Sequence, residues 1–299
     1  MIPRLVTKLF CSIDESGTFF LDNVDVGGVV ATEPEDLNFL AAILNAPPAN
    51  FVWRRISKPF QNDYRSANKQ FIAPLPVPNA TAEQKAAIGD LASELQQLHS
   101  AYRDGVRELT RLIDHEQMLP DTSRQSLRWP WPSLPEVETL KKSDAAKATG
   151  LKGAALTRWA NEQVQSAIDQ KLLKLSARLI PSVHLAVIET GEEIALHADG
   201  IEVLSVFESE NDRRLIAAQW RQVLRTTSIT PSLSAKKLVD RLLALRTTDV
   251  VALRKGIVDA DSALTLERVT IDQKEAKINQ LIYGLYGLDE AEIRRIEQG

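Results

Sequence analysis

The chain has 299 residues, 44% of them hydrophobic and 25% charged; this suits a folded protein of roughly two domains and excludes a disordered or fibrous one. A formal net charge of -4 is unlike a dedicated nucleic-acid module, so any case for nucleic acid rests on local charge. One cysteine, Cys11, leaves no disulfide within the chain and suits a cytoplasmic protein, no apolar run approaches the roughly 18 residues a membrane span needs, and Arg4 and Lys8 interrupt any signal-peptide core.

Residues 4–31 read as strands. Leu5, Val6, Leu9 and Phe10 precede a turn at 14–17, and runs at 19–21 and 24–30 follow, bent at Gly27-Gly28. Pro34 and Asp36 open a helix with Leu37, Leu40, Ile43 and Leu44 on one face, stopped by Pro47-Pro48. A second short helix is expected over 50–56. Residues 58–70 hold no period and read as a loop, Phe71 and Ile72 read as a strand, and Pro74, Pro76 and Pro78 keep the next passage extended.

Thr81 with Gln84 forms a capping-box pattern at the start of a long helix. Ile88, Leu91, Leu95, Leu98, Tyr102, Leu109 and Leu112 recur at three- and four-residue steps, with Gly105 at the one weak position. About four heptads reach residue 117, roughly 50 Å of helix. Such a seam needs a partner helix, in this chain or another.

Trp129-Pro130-Trp131-Pro132 marks a connection and a boundary over 119–135. A helix is expected over 153–179, with Leu156, Trp159, Val164, Ile168 and Leu172 apolar. Residues 183–207 read as a three-stranded meander that turns at Gly191 and at Asp199-Gly200. Helices follow over 211–226 and 234–246. The last long helix, 259–285, repeats Leu264, Ile271, Ile278 and Leu285 at seven and so qualifies as the missing partner. Gly287 suits a helix C-cap, and Asp289 with Glu292 suits a new N-cap.

One segment, 53–71, concentrates charge against the overall balance. Arg54, Arg55, Lys58, Arg65 and Lys69 face Asp63 alone, which leaves +4. Trp53, Phe60, Tyr64 and Phe71 interleave with them, and Asn62, Asn68 and Gln70 add amides. These residue types pair with phosphates and with guanine or adenine edges. A solvated loop with aromatics plugging a local core has the same composition. A second basic region, 141–178, carries eight cations against three acids. Its Thr149-Gly150-Leu151-Lys152-Gly153 turn presents backbone N–H groups near a helix start, although a solvated helix face reads more simply.

Asp169-Gln170-Lys171 and Asp272-Gln273-Lys274 have an acid-x-lysine spacing used by nucleases, but both fall in helical pattern. His99, His115, His184 and His197 show no metal-ligand spacing. No phosphate-binding or dinucleotide fingerprint occurs.

The helix ending at Leu44-Asn45, the basic loop, the Pro74-Leu75-Pro76-Val77-Pro78 passage and the helix after it form an ordered set. That order resembles the target-recognition region of adenine-N6 DNA methyltransferases, especially the fused type II restriction–modification enzymes of bacterial defence. The closing run from Ile278 to Leu288, with the acids after it and Ile293, is similar to the end of many such enzymes. The two matches cover about a third of the chain. The glycine-rich cofactor loop and the Asn-Pro-Pro-Tyr tetrapeptide of the family's catalytic half are missing. Asn45-Ala46-Pro47-Pro48 is the nearest string and reads as a helix stop.

The resemblance thus implies a specificity portion that holds no cofactor and is not catalytic by itself. S-adenosylmethionine would belong to a methyltransferase domain or subunit outside this chain. Such a portion is an excised fragment, a split subunit or a free-standing relative. The expected partners are double-stranded DNA and that catalytic part, with no membrane. The expected DNA-binding residues are Arg54, Arg55, Lys58, Asn62, Tyr64, Arg65, Asn68, Lys69 and Gln70. The expected fold is α+β: a small mixed recognition domain (1–80), a coiled-coil-like spacer helix (81–118), a second α+β region with a short antiparallel sheet (119–258), and C-terminal helices packing on the spacer (259–299). The competing expectation is a protein–protein interaction module or inhibitor that uses the long helices and an acidic surface.

Overall fold

The computed structural model describes residues 1–14, 17, 26–33, 36–120, 135–177, 183–207, 209–229 and 233–298. In chain order these form β1 (Ile2–Pro3), β2 (Leu5–Val6), β3 (Val26–Gly27), α1 (Leu37–Asn45), α2 (Pro47–Ile56), β4 (Arg65–Ser66), α3 (Lys69–Ile72), α4 (Ala82–Ile113), β5 (Leu119–Pro120), α5 (Val137–Lys141), α6 (Asp144–Thr149), α7 (Gly153–Ser176), β6 (Leu185–Thr190), β7 (Glu193–Ala198), β8 (Ile201–Phe207), α8 (Glu210–Thr226), α9 (Ala235–Leu243), β9 (Arg246–Thr247), α10 (Val251–Tyr286) and α11 (Glu290–Glu297). Small antiparallel sheets joined by helices make this the expected α+β fold. The strand expected at 19–21, the opening Pro34, the Trp129–Pro132 connection, Arg178 and the predicted helix end at Leu179 lie outside the described residues, as do the first two residues of the strand expected over 24–30, of which Val26–Gly27 form β3.

Two compact units form: Met1–Arg103 with Leu266–Gly299, and Asp104–Thr265. Their limits fall inside α4 and α10, not at 80, 118 and 258: Ile88, Leu91 and Leu95 of α4 and Ile271, Ile278 and Ile282 of α10 belong to the first unit, and buried Leu109 and Leu264 to the second.

In the first unit Ile88, Leu91 and Leu95 of α4 share a buried cluster with Ile271, Ile278 and Ile282 of α10 and with Phe39, Ala42 and Ile43 of α1. Lys274 meets Glu94 at 2.7 Å, and the Tyr286 hydroxyl donates to the Pro76 carbonyl at 2.6 Å. The two helices therefore run antiparallel, and the seam finds its partner within the chain. Thr81 and Gln84 exchange the two capping-box hydrogen bonds that start α4. Asp289 and Glu292 do the same for α11. Pro47-Pro48 ends α1 and also opens α2, since the first turn of a helix needs no N–H from them. A second cluster, with Ile2, Val6, Leu9, Leu44, Ala49, Trp53, Ala67 and Leu75, underlies the N-terminal strands.

The second unit is built on the meander β6-β7-β8, whose turn at Asp199-Gly200 has positive φ at both residues, 50° and 75°. Ile194, Leu196, Leu204 and Val206 of the sheet share a buried cluster with Ile168 and Leu175 of α7, Ile216 and Trp220 of α8, and Leu238 and Leu242 of α9. Trp220 is fully buried and its indole N–H donates to the Leu242 carbonyl at 2.8 Å, so the ring buries without an orphaned donor. The Cβ position of Gly105 would lie 2.9 Å from Leu264 Cδ2, so the weak position of the α4 seam makes room for Leu264 of α10.

Candidate nucleic-acid interface

The basic segment is a short hairpin on a helix stem. Cations at the end of α2, Arg54 and Arg55, suit the negative end of the helix dipole. Residues 58–60 then run antiparallel to 64–66. Ser66 N–H donates to the Lys58 carbonyl at 3.1 Å, Pro59 pairs with Arg65, and Phe60 N–H donates to the Tyr64 carbonyl at 2.7 Å. The chain reverses through Gln61, Asn62 and Asp63. Asn62 and Asp63 hold positive φ of 57° and 60°, a region that short polar side chains tolerate. β4 continues onto β2 in register Leu5↔Ser66 and Val6↔Arg65. The indole N–H of fully buried Trp53 donates to the Ser66 carbonyl at 3.0 Å and seats the hairpin on the core.

The nine expected contact residues divide by what they touch. Arg65 turns inward: its Nη1 donates to the carbonyls of Arg54 at 2.6 Å and Ser57 at 3.4 Å. Asn68 is held by Arg4, whose Nε donates to its Oδ1 at 2.6 Å. Arg54 donates to the Thr7 carbonyl and pairs with Asp63 at 2.9 Å. The other six are exposed. Arg55 stacks its guanidinium 3.2 Å from the Phe51 ring centroid and donates to the Phe51 carbonyl. Lys58 lies 5.5 Å from the centre of the Phe60 ring. Among the described residues, Arg55, Lys58 and Lys69 have no carboxylate within salt-bridge distance. Asn62, Tyr64 and Gln70 are exposed in the same segment. Lys69, Gln70, Asn68 and Arg4 line an open concavity of about 690 Å³.

Trp53 belongs to the core and Phe71 packs against it, so of the four interleaved aromatics only Phe60 and Tyr64 stand outward. Phe71 and Ile72 form part of helix α3 rather than a strand, because the Asn68 carbonyl accepts their N–H groups and both side chains pack on the core. Arg4 and Phe51 were not among the expected residues. The Phe51–Arg55 spacing of four on a helix was a usable signal; nothing local signals that Arg4 meets Asn68, 64 residues away.

The remaining candidates are spent elsewhere. Asp169 accepts from Gln165 on α7, Asp272 pairs with Arg268, and Lys274 with Glu94, so neither acid-x-lysine triplet forms a centre. His99 pairs with Glu275 at 2.9 Å, and the His197 ring meets the Gly200 carbonyl. Among the described residues no group of three His, Cys, Asp or Glu is placed to hold a metal ion, and no helix is long and apolar enough to cross a membrane. In the second basic region Lys141 pairs with Glu138 and Lys147 with Asp144, each three residues apart on a solvated face. Cys11 lines a cavity of about 790 Å³ in the first unit, and burial pushes its thiol up to about 11, against an ordinary 9.0. No family model, curated protein or solved structure matches the chain.

Proposed function

We propose that the first unit recognises double-stranded DNA as the specificity portion of an adenine-N6 methyltransferase or restriction–modification enzyme. The observation that carries this reading is the outward set Arg55, Lys58 and Lys69, cations without carboxylate partners among the described residues, beside the exposed amides Asn62 and Gln70. Cations in that state attract phosphates, and amides fork onto adenine edges. Arg54, Arg65 and Asn68 serve the hairpin's shape rather than the base edges. Catalysis and S-adenosylmethionine belong to a partner domain or subunit.

The test is a salt titration of duplex binding. Affinity falls steeply as salt rises, because phosphate contacts release counterions. Replacing Arg55, Lys58 or Lys69 with alanine lowers the slope of log affinity against log salt by about 1 each if each contacts a phosphate. An absence of duplex affinity at low salt contradicts the reading and favours a protein-binding module. The exposed Leu266 and Val269, three residues apart on α10, are the apolar surface that such a module would offer.

A further inference from the structure

The hairpin of residues 58–66 with β2 makes a three-stranded miniature sheet whose two faces differ in kind. Its register places Phe60 directly opposite Tyr64, Pro59 opposite Arg65, and Leu5 opposite Ser66. Residues opposite one another share a face, and successive residues alternate. One face therefore carries Pro59, Arg65 and Val6, and it turns inward at the last two: Val6 is buried and Arg65 bonds two backbone carbonyls, while Pro59 is exposed. The other carries Lys58, Phe60, Tyr64 and Leu5, with Ser66, opposite both Lys58 and Leu5, as its one buried member among these. On that face Leu5 is 52% exposed, Phe60 47% and Tyr64 46%.

Phe60 and Tyr64, opposite one another in this register and each about half exposed, leave apolar ring surface in water. Their surroundings are cationic. Lys58 leans over the Phe60 ring, and Arg55 and Lys69 carry no carboxylate partner among the described residues. Asp63, the acid of the turn, is held by Arg54 at 2.9 Å, with Arg65 Nε 3.6 Å away. The occupant that fits is flat and aromatic with negative charge at its margin. A nucleobase on its phosphate backbone has that form, and base–aromatic stacking tolerates any sequence. An apolar protein patch would not call for the cations.

We propose that Phe60 and Tyr64 form a stacking platform that receives an unstacked base step in the bound duplex. The proposal rests on the DNA-recognition reading above and adds the part of the DNA that is deformed. The left-handed Asn62 and Asp63 and the hold of Arg54 on Asp63 fix the turn between the two rings, so the platform is formed before DNA arrives.

The test uses the full chain and a duplex selected from a random library for tight binding. A single mismatch is moved through that duplex, one base pair at a time. A mismatch removes part of the cost of unstacking. At one step it should tighten wild-type binding about tenfold, the order set by stacking energies of a base on an aromatic ring. The double variant Phe60→Ala/Tyr64→Ala should bind the matched duplex more weakly by about tenfold or more and gain nothing from the mismatch. Tyr64→Phe should retain the gain. Both rings are half-exposed, and an unchanged thermal midpoint checks that the variants fold. A scan with no tightening at any step, or an equal gain in the double variant, overturns the platform while leaving DNA recognition standing. Failure to select any duplex overturns the recognition reading itself, and the platform with it.

Discussion

Asp63 in the first unit and Asp261 in the second each hold two arginines, under opposite conditions. Asp261 leaves only 4% of its side chain exposed and meets Arg221 at 2.7 Å and Arg225 at 2.6 Å; Arg225 also donates to Thr265. Glu189 adds a second carboxylate to Arg221 at 2.5 Å. Burial opposes the charge on Arg221, yet these two carboxylates hold its pKa above the ordinary value. Asp63 leaves 51% of its side chain in water and pairs with Arg54 at 2.9 Å and, more loosely, with Arg65 at 3.6 Å. The same pairing thus locks a core in one place and shapes a surface loop in the other. What differs is the water each carboxylate keeps, and with it the cost of leaving an arginine alone.

That contrast ranks the outcomes of mutation. Asp261→Ala strands the largely buried Arg225 guanidinium and leaves Arg221 with Glu189 alone, and should destabilise the protein by about 3–5 kcal/mol in urea unfolding. A loss below about 1 kcal/mol would mean that water reaches Arg225 freely. Arg65→Ala removes an inward donor to two carbonyls and should cost about 1–3 kcal/mol, while Arg55→Ala, on the outer surface, should change stability by less than about 0.5 kcal/mol. Equal costs would erase the distinction between the hairpin's inward and outward cations.

Cys11 and Tyr283 sharpen the same contrast with groups that are neutral at pH 7. Burial raises the Cys11 thiol from 9.0 to about 11, and burial together with Glu297 raises the Tyr283 phenol from 10.0 to about 12. Above pH 9 the unfolded chain gives up the thiol proton while the folded chain keeps it. Stability is therefore whole below pH 9 and falls as pH rises toward 11, by on the order of 2 kcal/mol for the thiol. In Cys11→Ala the decline measured by unfolding should be shallower between pH 9 and 11. Asp63→Asn also belongs at the small end, since its exposed pairs should contribute no more than about 1 kcal/mol and weaken further in salt.

Much of the framework is legible in the residues themselves. Local capping gave the starts of α4 and α11, Asp199-Gly200 gave the turn of the meander, and seven-residue repeats gave the two long helices and their pairing. Local readings failed where tertiary contacts decide. The strand propensity of Phe71 and Ile72 yields to packing on the core, and Pro59 hides the alternation of the hairpin. In the candidate interface, composition selects the segment but not the side chains that face water. Whether a cation stays unpaired depends on contacts such as Arg4 with Asn68, far apart in the chain, and Trp53 and Phe71 read like Phe60 and Tyr64 until the core is formed.

The most direct test is duplex affinity at low salt for the triple variant Arg55→Glu, Lys58→Glu and Lys69→Glu, compared with the wild type at equal thermal stability. An outward DNA-reading surface predicts binding weakened at least about a hundredfold, through the loss of phosphate contacts. Wild-type affinity in that folded variant would contradict it.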